Sequence, residues 1–263
     1  MKKKLVAIAL VAAMVLSMAA CGSKEETEQT DSEYVIANGK LVVGITDFEP
    51  MDYKDADGNW IGFDADMATL FAESLGVDVE FVEIDWDGKI MELDGKTIDC
   101  VWNGMTLTDE VTSAMDCTNP YSNNSQVVVL PADKADQYAD AESMKDLTFA
   151  VEEGSAGAAA AEDNGFAVNG VKTQADALTE VKAGTSDAAI IDYLMAVAMV
   201  GEGTNFSELS ASITLVDEEY GVGFRKGSDL PQMLNDFFAE KYADGTMTEI
   251  AAQYGIEGSI VEQ

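Results

Sequence analysis

The chain has 263 residues, 49 acidic and 15 basic, for a formal charge of −34, and 47% of them are apolar. That apolar fraction supports a sizeable core and argues against wholesale disorder, while so negative a surface repels nucleic acid and anionic headgroups and favours solubility. Histidine is absent, which excludes His-based acid–base catalysis, Ser-His-Asp triads and His-ligated metals.

Lys2–Lys4 form a basic start, and Leu5–Met18 an apolar run of secretory-leader length, short for a transmembrane span. The run ends Ser17-Met18-Ala19-Ala20-Cys21. Small residues before a lone Cys resemble the lipobox of bacterial lipoproteins, which implies cleavage before Cys21 and lipidation of its thiol. The expected organisation is a signal peptide over 1–20, then a lipidated Cys21 and an acidic tether over 21–39. Loss of the three leader lysines makes the body more negative still. Gly22–Glu33 is rich in Glu, Thr, Ser and Gln and has almost no apolar side chains, so it need not pack. The chain is therefore expected outside the cytoplasm, held to the membrane by a lipid.

The body alternates strand and helix signals. Lys40–Thr46 is a short apolar run, read as a buried strand. Asp55-Ala56-Asp57-Gly58-Asn59 is a turn, continued by an extended Trp60–Phe63. Asp64 is placed to cap a helix carrying Met67, Leu70, Phe71 and Leu75 on one face. Val77–Ile84 reads as a strand, Gly88–Leu93 as a short helix and Ile98–Trp102 as a strand. Gln126–Leu130 is a β-branched run ending at Pro131, suited to a strand crossing between two units.

The rhythm then repeats. Strands are expected at Leu147–Val151, within Gly165–Val171, and at Ala188–Ile191; helices at Ser155–Glu162, Ala175–Ala183 and Tyr193–Val200. Ile213–Val216 and Val222–Arg225 read as separate strands, with the acidic run Asp217-Glu218-Glu219 between them a solvated face or linker. Helices Leu230–Tyr242 and Met247–Tyr254 close the chain. Two βαβ series imply an α/β fold with parallel sheets and helices on their faces. In such folds ligands sit beyond the carboxyl ends of strands.

Residues at those strand ends carry a resemblance. Asp99-Cys100-Val101-Trp102-Asn103-Gly104-Met105-Thr106-Leu107-Thr108-Asp109-Glu110 is similar to the strand–loop motif of the bacterial extracellular solute-binding proteins of family 3, the polar amino-acid receptors of ABC importers. Gly62-Phe63-Asp64-Ala65-Asp66, Asp187-Ala188-Ala189-Ile190-Ile191-Asp192 and Tyr220-Gly221-Val222-Gly223-Phe224-Arg225-Lys226-Gly227 resemble further motifs of that family, in its order. The likeness runs from about Leu41 to Tyr254. It implies a two-lobed, type II periplasmic-binding-protein clamshell with two crossing strands. Lobe 1 is expected from 40–125 plus 221–263, and lobe 2 from 131–216. The implied function is capture of a small polar solute in the cleft and delivery to a membrane ABC permease, by a monomer and without catalysis.

The resemblance also nominates the site. Phe48 and Trp86 match the aromatic pair that sandwiches the ligand. Asn103, Gly104 and Thr106 match the segment that offers it backbone and hydroxyl groups. Ser155 opens a helix whose free N–H groups favour a carboxylate. Asp192 matches the carboxylate that pairs with a ligand ammonium, and Asp47, or Thr46 beside it, a second contact of that kind. The departure is Val111, where the family usually carries an Arg that grips the ligand carboxylate bidentately. The single Arg of the chain, Arg225, falls outside the expected cleft. Either an amino acid is held by backbone N–H groups with Ser155 and Thr106, or the ligand is a cationic amine met by Asp47, Glu152, Asp192 and aromatic faces. A third possibility is a cyclohexadienyl dehydratase-like enzyme on the same fold, drafting Glu152 or Asp192. Asp55-x-Asp57-x-Asn59 has Trp60 where a calcium loop needs Gly, so it reads as a turn. No Walker loop, dinucleotide fingerprint or metal constellation is present, so no cofactor is expected. Cys100 and Cys117 suit either a disulfide or two buried thiols.

Overall fold

The computed structural model describes residues 29–263; the expected leader, Cys21 and the first part of the tether lie outside the described residues. Eleven strands are named here in chain order: β1 (Lys40–Ile45), β2 (Tyr53–Lys54), β3 (Trp60–Ile61), β4 (Asp78–Glu83), β5 (Cys100–Thr106), β6 (Asp116–Cys117), β7 (Ser122–Pro131), β8 (Thr148–Glu152), β9 (Ala167–Val171), β10 (Ala188–Asp192) and β11 (Leu209–Phe224). The main sheet runs β4-β1-β5-β11-β7-β10-β8-β9, with β6 also on β11 and β2-β3 a separate hairpin. Strands β4, β1 and β5 are parallel at one end, and β10, β8 and β9 are parallel at the other. Between them β7 and β11 run antiparallel to each other and to their neighbours. Parallel pairs need crossovers, and helices at Phe63–Leu75, Lys89–Asp94, Ala156–Asp163 and Gln174–Ala183 supply them. The result is the two-lobed type II fold, with β7 and β11 as the two crossing strands.

Local signals explain most boundaries. Helix Phe63–Leu75 buries Met67, Ala68, Phe71 and Ala72 and stops at Gly76 in the left-handed conformation. Its cap differs from expectation: Gly62 is the N-cap, and Asp64 lies buried in the first turn. The Asp64 carboxylate is turned inward, where its Oδ2 accepts from Gly104 N and from Tyr121 OH, both at 2.7 Å. The C-terminal helices, Leu230–Ala243 and Thr246–Gln253, pack on the β1–β5 end. Phe237 meets Phe71 at 5.4 Å between ring centroids, Phe238 meets Trp102 at 5.5 Å, and Tyr254 OH donates to Asp66 at 2.8 Å.

Two expectations are corrected. The tether does not extend to residue 39, because Asp31–Asn38 is a helix with a Thr30/Glu33 capping box and a fully buried Val35. A cap contributes about 1 kcal/mol and a buried Val about 1.5–3 kcal/mol, and two tertiary contacts add to them. Arg225 Nε pairs with Asp31 at 3.1 Å, and Asp229 accepts from Ser32 N at 2.9 Å. The polar composition concealed this, since one buried apolar side chain and a few carboxylates suffice to dock the helix. Likewise β11 is one 16-residue strand rather than two. Its acidic middle stays extended because Asp217, Glu218 and Glu219 pair in register with Ser125, Asn124 and Asn123 of β7.

Cys100 and Cys117 are free thiols, Cys100 buried. They pair with Phe224 and Gly223 through β5 and β6 respectively, so β11 lies between them. Among the described residues, no helix is long and apolar enough to cross a membrane.

Candidate functional site

The strand ends of both lobes meet around a cavity of about 210 Å³. Of the eight residues nominated from the sequence, Phe48, Trp86, Asn103, Gly104, Thr106, Ser155 and Asp192 form part of its wall, and Asp47 does not. Thr46 takes the inward place, held there by Asn103: Thr46 N and Oγ1 donate to Asn103 Oδ1 at 2.9 and 2.8 Å. Asp47, the next residue along an extended segment, is therefore turned outward and exposed. Asn103 spends its amide on the same task, donating to Thr46 O at 3.1 Å and to Asp52 Oδ2 at 2.7 Å. It shapes the wall through its side chain rather than offering that side chain to a ligand.

Gly104 adopts φ +54, and a Cβ there would come within 2.6 Å of the Phe48 ring. The glycine thus lets Phe48 lie against the β5 backbone, edge-on to Tyr220 at 6.3 Å. Trp86 is buried in a separate apolar cluster with Val111, and both face the cavity. Position 111 is therefore in the wall, and no guanidinium is there. Arg225 is committed elsewhere, to Asp31, to Asp99 at 3.2 Å and to Ile98 O at 2.8 Å.

In the other lobe, Ser155 is the N-cap of Ala156–Asp163, its Oγ accepting from Ala158 N at 3.1 Å. The first-turn N–H groups of that helix have no intrahelical acceptor. Asp192 precedes helix Tyr193–Met199 but does not cap it; Asn124 Oδ1 accepts from Leu194 N instead, at 3.2 Å. The Asp192 carboxyl is freed for a network, in which Oδ1 accepts from Asn124 Nδ2 (2.5 Å), Gln126 Nε2 (3.1 Å) and Tyr220 OH (2.5 Å), and Oδ2 from Gln174 Nε2. The same two amides donate to Glu218 Oε1 at 2.6 and 2.9 Å. Burial, and then the neighbouring Glu218 carboxylate, hold Asp192 well above the usual carboxylate range.

The wall also holds Gln174 and Lys89, neither of which was singled out from the sequence, and Glu152, which was weighed there only as a contact for an amine or as an acid for catalysis. Glu152 is buried and its Oε1 has no hydrogen-bond partner. Burial pushes its carboxyl up to about 8. Lys89 is also buried; it stands three residues after Trp86, close enough on a helical turn to share its face, and that spacing was the available sequence signal. Its Nζ donates to Trp86 O at 3.2 Å and to Gly154 O at 2.9 Å and lies 4.9 Å from the Trp86 ring centroid. The Gly154 contact crosses the cleft, as does an exposed pair between Lys172 and Asp85 at 3.0 Å. Among the described residues no cluster fit to hold a metal is found.

Glu152 makes stability depend on pH with a definite sign. Its folded value of about 8 lies above the ordinary 4.5, so between those values the folded chain keeps a proton that the unfolded chain releases. Stability contributed by this group is present at low pH and is lost as pH rises through that window, by up to about 1.4 kcal/mol per pH unit. Asp52, Asp64 and Asp192 are raised by burial in the same direction. The melting temperature of the ligand-free protein is therefore expected to rise from pH 8 to pH 5. Glu152→Gln is expected to make that rise shallower, read by calorimetry across the range; an unchanged slope would remove Glu152 from the account.

A family model described as bacterial extracellular solute-binding proteins, family 3, matches residues 41–257. The arginine-binding extracellular protein ArtP of Bacillus subtilis is 26% identical over 261 residues, covering 96% of this chain and 98% of its own. A substrate-binding protein of an ABC uptake transporter from Streptococcus pneumoniae, solved with bound histidine, superposes with a TM-score of 0.80 at 30% identity, over 90% of this chain and 100% of its own. An ancestral amino acid-binding protein, a precursor of cyclohexadienyl dehydratase, superposes with a TM-score of 0.76 at 29% identity, over 85% and 98%.

Proposed function

The chain belongs to the bacterial extracellular solute-binding proteins, family 3, and on that premise we propose that it captures one free amino acid between its lobes and passes it to the permease of an ABC importer. It does so outside the cytoplasm, as a monomer anchored by a lipid on Cys21. The observation that carries this reading is the composition of the cavity wall. Phe48 and Trp86 supply apolar faces, Glu152 and Asp192 buried acceptors for an ammonium, and the Ser155 helix end and Lys89 donors for a carboxylate. At about 210 Å³ the space is below the roughly 300–1,000 Å³ of drug-sized sites, which suits a single amino acid and not a peptide.

The test is a melting-temperature screen of amino acids, polyamines and quaternary amines. A ligand at a hundredfold its Kd stabilises by about 2.7 kcal/mol, a shift of roughly 5–10 °C for a domain of this size. An amino acid is expected to give it. A second reading, a receptor for a cationic amine without a carboxylate, is favoured by the four acidic wall residues Asp109, Glu110, Glu152 and Asp192 set against Lys89 alone. Stabilisation by amines and by no amino acid would establish it. Turnover of prephenate or arogenate would instead make the chain an enzyme; both are expected to be left unchanged.

A further inference from the structure

Among the described residues, Lys89 is the one cation in the cavity wall. It is buried, and among the described residues no carboxylate lies within 4.0 Å of its Nζ. A buried ammonium without an anion at contact distance is costly, and burial lowers the affinity of Lys89 for its proton while Glu110, Glu152 and Asp87 oppose that effect. Two of its three N–H groups are used, on Trp86 O and Gly154 O, so one remains. The amine lies over Trp86, which shares an apolar cluster and the cavity wall with Val111. A cation thus stands in the same wall as Val111, where the sequence lacks its arginine, but it is delivered from helix Lys89–Asp94 and not from position 111.

We infer that Lys89 grips the carboxylate of the bound amino acid, and that this contact sets the preference for amino acids over amines. The inference rests on the proposed amino-acid reading. An ammonium makes a point contact where a guanidinium would make a fork, so the second carboxylate oxygen falls to the Ser155 helix end across the cleft. Because Lys89 Nζ also donates to Gly154 O, its grip is fully formed only with the lobes together. Carboxylate binding and closure are therefore coupled through one side chain. The ammonium of the ligand then faces Glu152, whose Oε1 lacks a partner.

The experiment compares affinities of the full chain for L-arginine and agmatine, L-histidine and histamine, and L-cystine and cystamine, by calorimetry. Each pair differs by its carboxylates. Wild type is expected to bind the amino acid of at least one pair about ten- to a hundredfold more tightly than its amine. Lys89→Met is expected to remove most of that ratio by weakening the amino acid while leaving the amine within about threefold. Lys89→Gln gives the same reading should the first variant not fold. A ratio that survives in either variant overturns the role of Lys89 and leaves amino-acid binding standing, as does an equal loss for both members, which would make Lys89 a latch alone. If wild type prefers the amine in every pair that it binds, the amino-acid reading falls and the role of Lys89 with it.

Discussion

Asp192→Ala is expected to weaken amino-acid binding by at least about a hundredfold and to lower the melting temperature of the ligand-free protein. The carboxyl accepts from Asn124, Gln126, Tyr220 and Gln174, and these come from β7, β11 and the helix Gln174–Ala183. Truncation strands buried donors on three elements at once, at about 1–3 kcal/mol for each that finds no water. Since each 1.4 kcal/mol is tenfold in affinity, losing part of this network from the closed form accounts for the expected effect. Asp192→Asn separates the two roles. Burial and Glu218 already favour the neutral carboxyl, and an amide resembles that form. The melting temperature is then expected to stay within a few degrees while affinity still falls, because only the acid can ionise toward an arriving ammonium. Wild-type affinity in Asp192→Asn would show that the charge is not used by the ligand.

Gly154→Ala is the second large effect, and it acts on closure. Gly154 has φ +70, and a Cβ there would stand 2.7 Å from Asp87 Cα in the other lobe. Ordinary carbon–carbon contact is about 3.5–4.0 Å, and the obstacle is backbone, so the lobes must part by about 1 Å. That also stretches the 2.9 Å contact from Lys89 Nζ to Gly154 O. Affinity is expected to drop about ten- to a hundredfold. Left-handed strain on alanine costs about 1–2 kcal/mol by itself, so a control is needed. Gly184→Ala provides it: Gly184 has φ +74 with nothing within 4 Å of its Cβ position. Both variants are expected to lose similar melting temperature without ligand, and Gly154→Ala alone to lose affinity. Equal affinities in the two would show that the Gly154–Asp87 approach is not required for binding.

Much of the fold was legible because its signals are local. Short apolar runs such as Leu41–Ile45 and Ala188–Ile191 are bounded by turn residues, and helix faces such as Met67/Phe71 keep helical period. β11 was not legible as one strand, because its acidic middle is stabilised by amides of β7 that lie about ninety residues earlier. The helix Asp31–Asn38 was concealed for a related reason: its anchor, Arg225, is remote in sequence. In the site, residues directly after strands were found, since strand ends converge on the cleft. Thr46 and Asp47 could not be separated from the sequence, because the inward phase of this segment stays open until Asn103 fixes it. Glu152 was visible as a carboxylate that could meet an amine, but its unpartnered oxygen was not. Lys89 escaped because a lysine near a helix start ordinarily points to water, and only the opposing lobe encloses it.

The docked helix Asp31–Asn38 has a consequence for how the molecule meets the cell surface. With Cys21 in the bilayer as proposed, the mooring line ends at Thr30, where the capping box begins. Nine residues reach at most about 30 Å even when fully extended. The line leaves from the side of lobe 1 that carries Arg225 and Asp99, and not from a loose end free to swivel. A lipid on Cys21 would thereby hold the protein within about one domain diameter of the bilayer, with its point of attachment on the lobe that carries Arg225, and would leave the other lobe as the one free to swing.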